Sequence, residues 1–314
     1  AMAAGKSAAA ALCLLALAAC ASAYNITDYQ LDVDTILQAA RADGTGYQRL
    51  STMCDLFGPR LSGTPQLEEA IDWIMAEMET DGFDVVTSDP VMVTHWVPNS
   101  HSLFMSTPRE YEMQILSLGG SISTPVGGIT AEALVVTSYE DLASKASEAE
   151  GKIVVYNVPF TSYGSTVTYR TDGAAEAAKV GAVASLTRSV TPYSLYTPHT
   201  GLMYYQDGVT KIPSAAVTIE DATLMQRLQD AGHTIVLTLE MDTSEFPESE
   251  SHNIVAEVRG TVLPEEVVVF GGHIDSWNVG TGAQDDAGGC FHAWEAARLL
   301  LSLGMRPRRT LRVV

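Results

Sequence analysis

The sequence is poor in positive charge. Its 314 residues carry 18 lysines and arginines against 38 aspartates and glutamates, a formal net charge of −20. A surface of that sign repels phosphate backbones, which excludes nucleic acid as a partner, favours solubility and suits an acidic compartment. Cysteine is nearly as scarce. Of four in all, Cys13 and Cys20 fall in the first apolar stretch. Cys54 and Cys290 remain, too few for a disulfide framework, and a single bridge between them stays an open possibility. The absence of any CxxC pair argues against a cysteine-ligated structural zinc. HExxH, GxSxG and the P-loop are all missing, and with them the chemistries that they signal. No internal repeat or low-complexity tract is seen outside the N-terminal region. What remains is globular in composition, 46% hydrophobic and 18% charged, in a length that fits one large domain or two ordinary ones.

The N-terminal region reads as a secretory leader over residues 1–23. Lys6 precedes an apolar run from Ala8 to Ala19, and Ala21-Ser-Ala23 supplies a small-x-small cleavage pattern. The run is too short for a comfortable membrane span. A buried N-terminal helix is the bland alternative. Leu17-Ala-Ala-Cys20 could also serve as a lipoprotein box, tethering the chain through Cys20. Asn25-Ile-Thr27 is an N-glycosylation acceptor triplet.

Beyond the leader, three segments follow: 24–121, 122–245 and 246–314. In the first, apolar positions at helical spacing run through 26–60. Thr64 and Pro65 then open a helix carrying Leu67, Ala70, Ile71, Ile74 and Met78 on one face, with Gly82 at its end. Strand character follows from Phe83 to Thr94. The glycine-rich stretch from Gly119 to Gly128 marks the boundary. The middle segment alternates strands and helices, including Leu134–Thr137, Lys152–Tyr156, Ala174–Val180, Val183–Leu186 and Ala222–Ala231, as a compact α/β unit of normal domain size. It shows no ligand-spaced cluster and reads as a structural or lid domain. Glu245-Phe-Pro-Glu-Ser-Glu250 reads as an acidic turn. The third segment offers strands at Asn253–Val258 and Glu266–Phe270, the latter of buried type, a helix at Phe291–Leu303 with Gly304 as its cap, and a strand from Thr310.

The stretch with chemistry in it is Gly271-Gly-His273-Ile-Asp275-Ser276, followed by Gly282-Ala-Gln-Asp285-Asp286-Ala-Gly-Gly289. It falls between an apolar strand and a helix, where sites cluster in α/β sheets. His273 and Asp285 are reasonable zinc ligands. Asp275, two residues from His273, projects to the same side of an extended backbone and can accept the second imidazole N–H. A polar strand-end histidine and a helix-capping pair of aspartates are the competing readings. Gly280-Thr-Gly282 lacks the third glycine of a dinucleotide loop, and Asp285 stands where a pyrophosphate would lie. His95, His101, His199, His233, His252 and His292 lack ligand partners at short spacing; His199, in Pro198-His-Thr-Gly201, is the one to watch.

The pattern His273-x-Asp275-Ser276 … Gly282-Ala-x-Asp285-Asp286-x-x-Gly289 resembles the metal motif of the co-catalytic zinc exopeptidases. Leu56-Phe-Gly-Pro-Arg-Leu-Ser-Gly63, Gly151-Lys-Ile-Val-Val-Tyr-Asn157, Tyr169-Arg170 and Tyr205-Gln-Asp-Gly208 extend the likeness over nearly the whole chain after the leader. The resemblance implies an α/β fold: a mixed-sheet exopeptidase domain interrupted by a protease-associated domain. It implies two zinc ions, His273 on one, Asp285 bridging both, Asp275 orienting His273, and a cis Asp285–Asp286 peptide. It implies hydrolysis of dipeptides or short peptides with free termini, a homodimer, and secretion or a lysosomal address. A Glu-Glu pair beyond the next strand, one member the general base, and a later Asp and His complete the implied set. None is found before Val314, so the chain is expected to be an N-terminal part, inactive and unstable alone. A non-catalytic ectodomain or pseudoenzyme on the same two-domain plan is the alternative.

Overall fold

The computed structural model describes residues 26–314. The leader at 1–23 and the acceptor Asn25 lie outside the described residues. Three helices come first: α1 (Gln30–Ala42), α2 (Thr45–Phe57) and α3 (Pro65–Thr80). The chain then runs through β1 (Val85–Thr107), β2 (Tyr111–Met113), β3 (Ile115–Ser117), β4 (Ile129–Val136), α4 (Tyr139–Ser144), β5 (Ile153–Tyr156), α5 (Gly173–Lys179), β6 (Ala184–Arg188), β7 (Ser214–Val217) and α6 (Ile219–Asp230). It closes with β8 (Val236–Val258), β9 (Leu263–Phe270), α7 (Gly288–Ser302) and β10 (Arg309–Val313).

The strands form one mixed sheet in the order β2-β1-β8-β4-β5-β6-β7-β3, with β10 joining β8 to β9. Its backbone is the antiparallel pair β1–β8. The two 23-residue strands pair from Val85 opposite Glu257 to Thr107 opposite Val236, with three register shifts on the way. One end of this ribbon carries β10 and β9. The other carries β4 and the parallel run β4–β5–β6–β7. The segment 245–250, read as an acidic turn, is therefore the middle of a strand. Its proline and acids favour a turn locally, and pairing with β1 overrides them. The ladder yields at that point: Val93 pairs Ser249 and His95 pairs Phe246, so Pro247, which has no N–H to donate, sits in the irregularity. His95 packs on Phe246 there, with ring centroids 4.5 Å apart.

The α/β segment that follows β3 buries both faces of its parallel strands. Val135, Ile153, Val155 and Leu186 pack on one side with Met225 of α6. Leu134, Val136, Val154 and Tyr156 pack on the other with Ala174 and Ala177 of α5. That accounts for the unbroken apolar runs in the sequence. The third core lies at the other end of the ribbon, where Met53, Ile74, Met78, Phe291, Trp294 and Ala297 from α2, α3 and α7 cover Ala256, Val258 and Val313. α3 starts at Pro65 as expected, but Thr64 does not cap it: its hydroxyl donates to the Leu61 carbonyl at 2.6 Å. Strand β9, expected to be buried, exposes Val267, Val268 and Val269. Among the described residues it pairs with β10 alone, so its apolar composition is not matched by cover.

Two ionic ties hold the helices over this core. Arg49 of α2 forks onto Asp81 at 2.7 and 2.9 Å, and the Trp294 indole N–H donates to the same carboxylate at 2.8 Å. Asp43, between α1 and α2, accepts from the Thr45 amide at 2.8 Å and pairs with Arg298 of α7. The Thr45 hydroxyl and amide, with Arg298 behind them, hold the Asp43 carboxyl down to about 2. A carboxyl lowered on folding stabilises above its unfolded pKa of about 4 and loses that contribution as pH falls towards 2. The melting-temperature gap between wild type and Asp43→Asn is therefore expected to be steady above pH 5 and to shrink between about pH 4 and pH 2. Thermal melts across that range check it.

Candidate metal centre

The site forms where β9 ends. Phe270 is the last strand residue, and the chain then loops through 271–282 before the helical turn Ala283–Ala287 and α7. His273 stands at the centre of this loop. Its Nδ1 lies 3.0 Å from both the carbonyl and the Oδ1 of Asp275, and its Nε2 lies 3.1 Å from Asp285 Oδ1. The three side chains thus form one chain of contacts, Asp275–His273–Asp285, open to solvent: Asp285 is 86% exposed and His273 56%. Burial pulls the imidazole pKa down, but the Asp275 carbonyl and the Asp275 and Asp285 carboxylates outweigh it, and the net shift is upward. The peptide Asp285–Asp286 is cis. No group of three or more His, Cys, Asp or Glu with metal-binding geometry occurs among the described residues.

Two residues that sequence reasoning did not assign to the site hold its loops. Arg60, from the Gly58–Gly63 stretch after α2, is fully buried. Its guanidinium donates to the carbonyls of Ile274 at 2.9 Å, Thr281 at 2.8 Å and Gly58 at 2.6 Å. Its backbone exchanges bonds with Ser276: the Arg60 amide donates to Ser276 Oγ at 3.0 Å, and the Ser276 amide to the Arg60 carbonyl at 2.9 Å. One arginine therefore clamps both the His273–Asp275 segment and the start of the Asp285 turn. Burial lowers its pKa, but a guanidinium starts high enough to stay charged. The second is Asp286. Its carboxylate lies between Gly272 and Gly289, where an added Cβ would come within 2.3 and 2.4 Å of its oxygens, and it accepts from the His273 amide at 3.4 Å. The glycine pairs flanking the motif are the sequence signal for that arrangement.

Nearby, Cys54 and Cys290 are free thiols. Burial pushes the Cys290 pKa up to about 12, so it rests as an inert thiol. Of the remaining histidines, His95 bonds Ser249, His101 bonds Ser117 and His252 faces Glu68. His292 and His233 are exposed. His199 lines a cavity that Asp285 also lines.

The profile of peptidase family M28 matches residues 253–314. A solved peptidase M28 precursor from Shewanella amazonensis SB2B is similar over 92% of this chain and 67% of its own, at 33% identity and a TM-score of 0.88. The chain belongs to peptidase family M28. Carboxypeptidase Q of Mus musculus is 53% identical over 268 residues, which cover 85% of this chain and 57% of that protein. This M28 chain therefore spans a little over half the length of that curated relative. A zinc aminopeptidase from Bacillus subtilis shares the fold, at 21% identity and a TM-score of 0.61, over 85% of this chain and 59% of its own.

The Arg60 clamp is the part of this M28 site most open to a test of stability. Removing its guanidinium takes the shared donor from three carbonyls that are only partly covered. Arg60→Met is expected to destabilise by roughly 1–3 kcal/mol, read from urea unfolding. Gly282→Ala is expected to be destabilising for two reasons. Gly282 has φ +59°, and its Cβ would fall 2.3 Å from the Cβ of Ser276 and 2.9 Å from Arg60 Nη2.

Proposed function

We propose that this chain carries the first half of the active site of a zinc exopeptidase that hydrolyses dipeptides or short peptides with free termini. The observation that carries the reading is the Asp275–His273–Asp285 chain of contacts at a strand end, in a chain of peptidase family M28. Zinc is the expected metal, since a fold neighbour is a zinc aminopeptidase.

The donor set fits that ion. Two ligands at about 2.0 Å from one tetrahedral zinc stand about 3.3 Å apart; His273 Nε2 and Asp285 Oδ1 are 3.1 Å apart. When bound, zinc would polarise the scissile carbonyl and lower the pKa of water. His273 and Asp285 would hold it. Asp275, by accepting the Nδ1 proton, would leave the Nε2 lone pair free for the ion. The exposed Asp285 carboxylate has a second oxygen free, which suits it to bridge a second ion. Asp286 and Arg60 fix the backbone on either side.

The leader and the Asn25-Ile-Thr27 acceptor support entry into the secretory pathway, with the lysosome or the exterior as destination, and the family resemblance supports a homodimer. Among the described residues, no helix is long and apolar enough to cross a membrane.

Metal analysis by mass spectrometry together with hydrolysis of unblocked dipeptides tests the reading on the full-length protein. Zinc and activity are expected in the wild type, and both are expected to be lost in Asp285→Ala. Asp275→Asn is expected to keep the fold but to lose roughly 10–100-fold in zinc affinity or activity. A folded, zinc-free, inactive wild type would replace this reading with a non-catalytic role on the same two-domain plan.

A further inference from the structure

The loop that carries Asp285 opens on a cavity of about 810 Å³. Ser276, Trp277 and the turn from Thr281 to Asp285 form one side; Arg170, Val190 and the 198–202 loop, all from the α/β segment after β3, form the other. Topology explains why the two walls meet. β9 ends at Phe270 and leads into the His273 loop, while β6 ends at Arg188 and leads to Val190 and the 198–202 loop. Both walls are thus built beyond the carboxyl ends of parallel strands, the usual location of sites in α/β sheets.

Trp277 makes a joint between them. Its indole lies over Gly119, where an added Cβ would come within 2.5 and 2.8 Å of Cη2 and Cζ3 of the six-membered ring and within 3.1 Å of Leu202 Cδ2. The Gly119 backbone is not in the left-handed region, so space rather than conformation calls for glycine here. Gly119 is in turn tied to the far wall: its amide donates to the Gly201 carbonyl at 2.9 Å, and its carbonyl accepts from the Met203 amide at 3.0 Å. Thr200 Oγ1 donates to the Ser117 carbonyl at 2.9 Å. On the near side, Trp277 follows Ser276, whose hydroxyl and amide are both bonded to the Arg60 backbone, and Asp275, which meets the His273 imidazole. An unbroken run of contacts therefore leads from the 198–202 loop, through Gly119 and the indole, to the segment that carries Asp275 and His273.

We infer that Trp277 is a positioning residue that sets the distance between the metal loop and the far wall, so that the cleft is held at one width before a peptide enters. The inference rests on the peptidase reading above. An indole seated in a glycine notch cannot move further towards Gly119, and backbone bonds fix the residues on both sides of the contact. A peptide that spans the cavity has to meet the His273–Asp285 pair and the 198–202 loop at once. A displacement of about 1 Å between such groups costs on the order of 100-fold in rate. A ring that only buried apolar area would leave the geometry of the cleft indifferent to the shape of this contact.

The test places substitutions on the two sides of this contact in the full-length zinc protein. Gly119→Ala puts a methyl where the ring edge lies and is expected to lower kcat/KM for unblocked dipeptides by roughly 10–100-fold, mainly through a higher KM, with zinc content by mass spectrometry unchanged. Trp277→Phe withdraws that ring edge and is expected to raise KM as well, because the wall is then free to shift. The double variant Gly119→Ala/Trp277→Phe fills the gap with the methyl and is expected to return to within about threefold of the wild type, the mark of two residues that act through one contact. A Gly119→Ala enzyme as active as the wild type, or a double variant whose loss is the product of the two single losses, overturns the inference and leaves the peptidase reading standing. Loss of zinc in Gly119→Ala overturns it too, since the contact would then serve the ion rather than the width of the cleft. A wild type that binds no zinc and cleaves no dipeptide removes both. Should Gly119→Ala fail to melt cooperatively, Trp277→Phe decides the matter: a higher KM at unchanged zinc content and melting temperature supports the positioning role, and an unchanged KM overturns it.

Discussion

The structure hangs on the β1–β8 ladder. Two 23-residue strands paired along their whole length, with three register shifts, form the ribbon on which the rest of the sheet is built. A one-residue slip would turn every side chain to the opposite face, and each end of the ribbon lies against a buried core, so the register is held strongly at both ends. Leu103, Met105, Leu237 and Leu239 are fully buried at one end, and Ala256 and Val258 at the other. The position of the middle α/β segment relative to the His273 loop follows from that ladder, as does the cleft between them. The irregularities at Val93/His95, Pro98/Ser100 and Met105/Thr107 each shift the pairing by one residue and allow the ribbon to bend.

Precision at the site comes from a buried charge. A guanidinium without a carboxylate partner is costly to bury unless carbonyls take its protons; Arg60 gives its Nε and Nη1 protons to the carbonyls of Gly58, Ile274 and Thr281, while its buried Nη2 has no partner among the described residues. The same bonds restrain two loops that have no regular secondary structure of their own. His273 and Asp285 are therefore exposed at their tips and held at their backbones. Such an arrangement suits ligands that must stay open to an ion and a substrate without drifting apart.

Much of this was legible in the sequence where the signal is local. α3 follows from Pro65, the apolar face from Leu67 to Met78, and Gly82 beyond its end. The parallel strands of the middle segment follow from short apolar runs between glycines. The nearness of Asp275 to His273 is a matter of two-residue spacing. What could not be read is tertiary. Pro247 and its acidic neighbours favour a turn until β1 pairs with them. The valines of β9 read as core from their hydrophobicity, and among the described residues only β10 pairs with that strand. Arg60 enters the sequence reading only as a member of the Leu56–Gly63 stretch, since a sequence displays charge but not burial. The cleft brings together Arg170 and Asp285, more than a hundred positions apart, and no spacing rule connects them.

The electrostatics of the cleft then differ from those of the molecule. A net charge of −20 disfavours the approach of any anion, including the carboxylate end of a peptide. Salt screens that general field over about 8–10 Å, so a substrate already inside the cavity responds mainly to the groups that line it. There Asp285 and Arg170 oppose each other across the lining. A metal on Asp285 and His273 would neutralise the acidic wall, and Arg170 would then leave the cavity net positive. A cation held at the acidic wall would in that sense favour an anion at the basic wall.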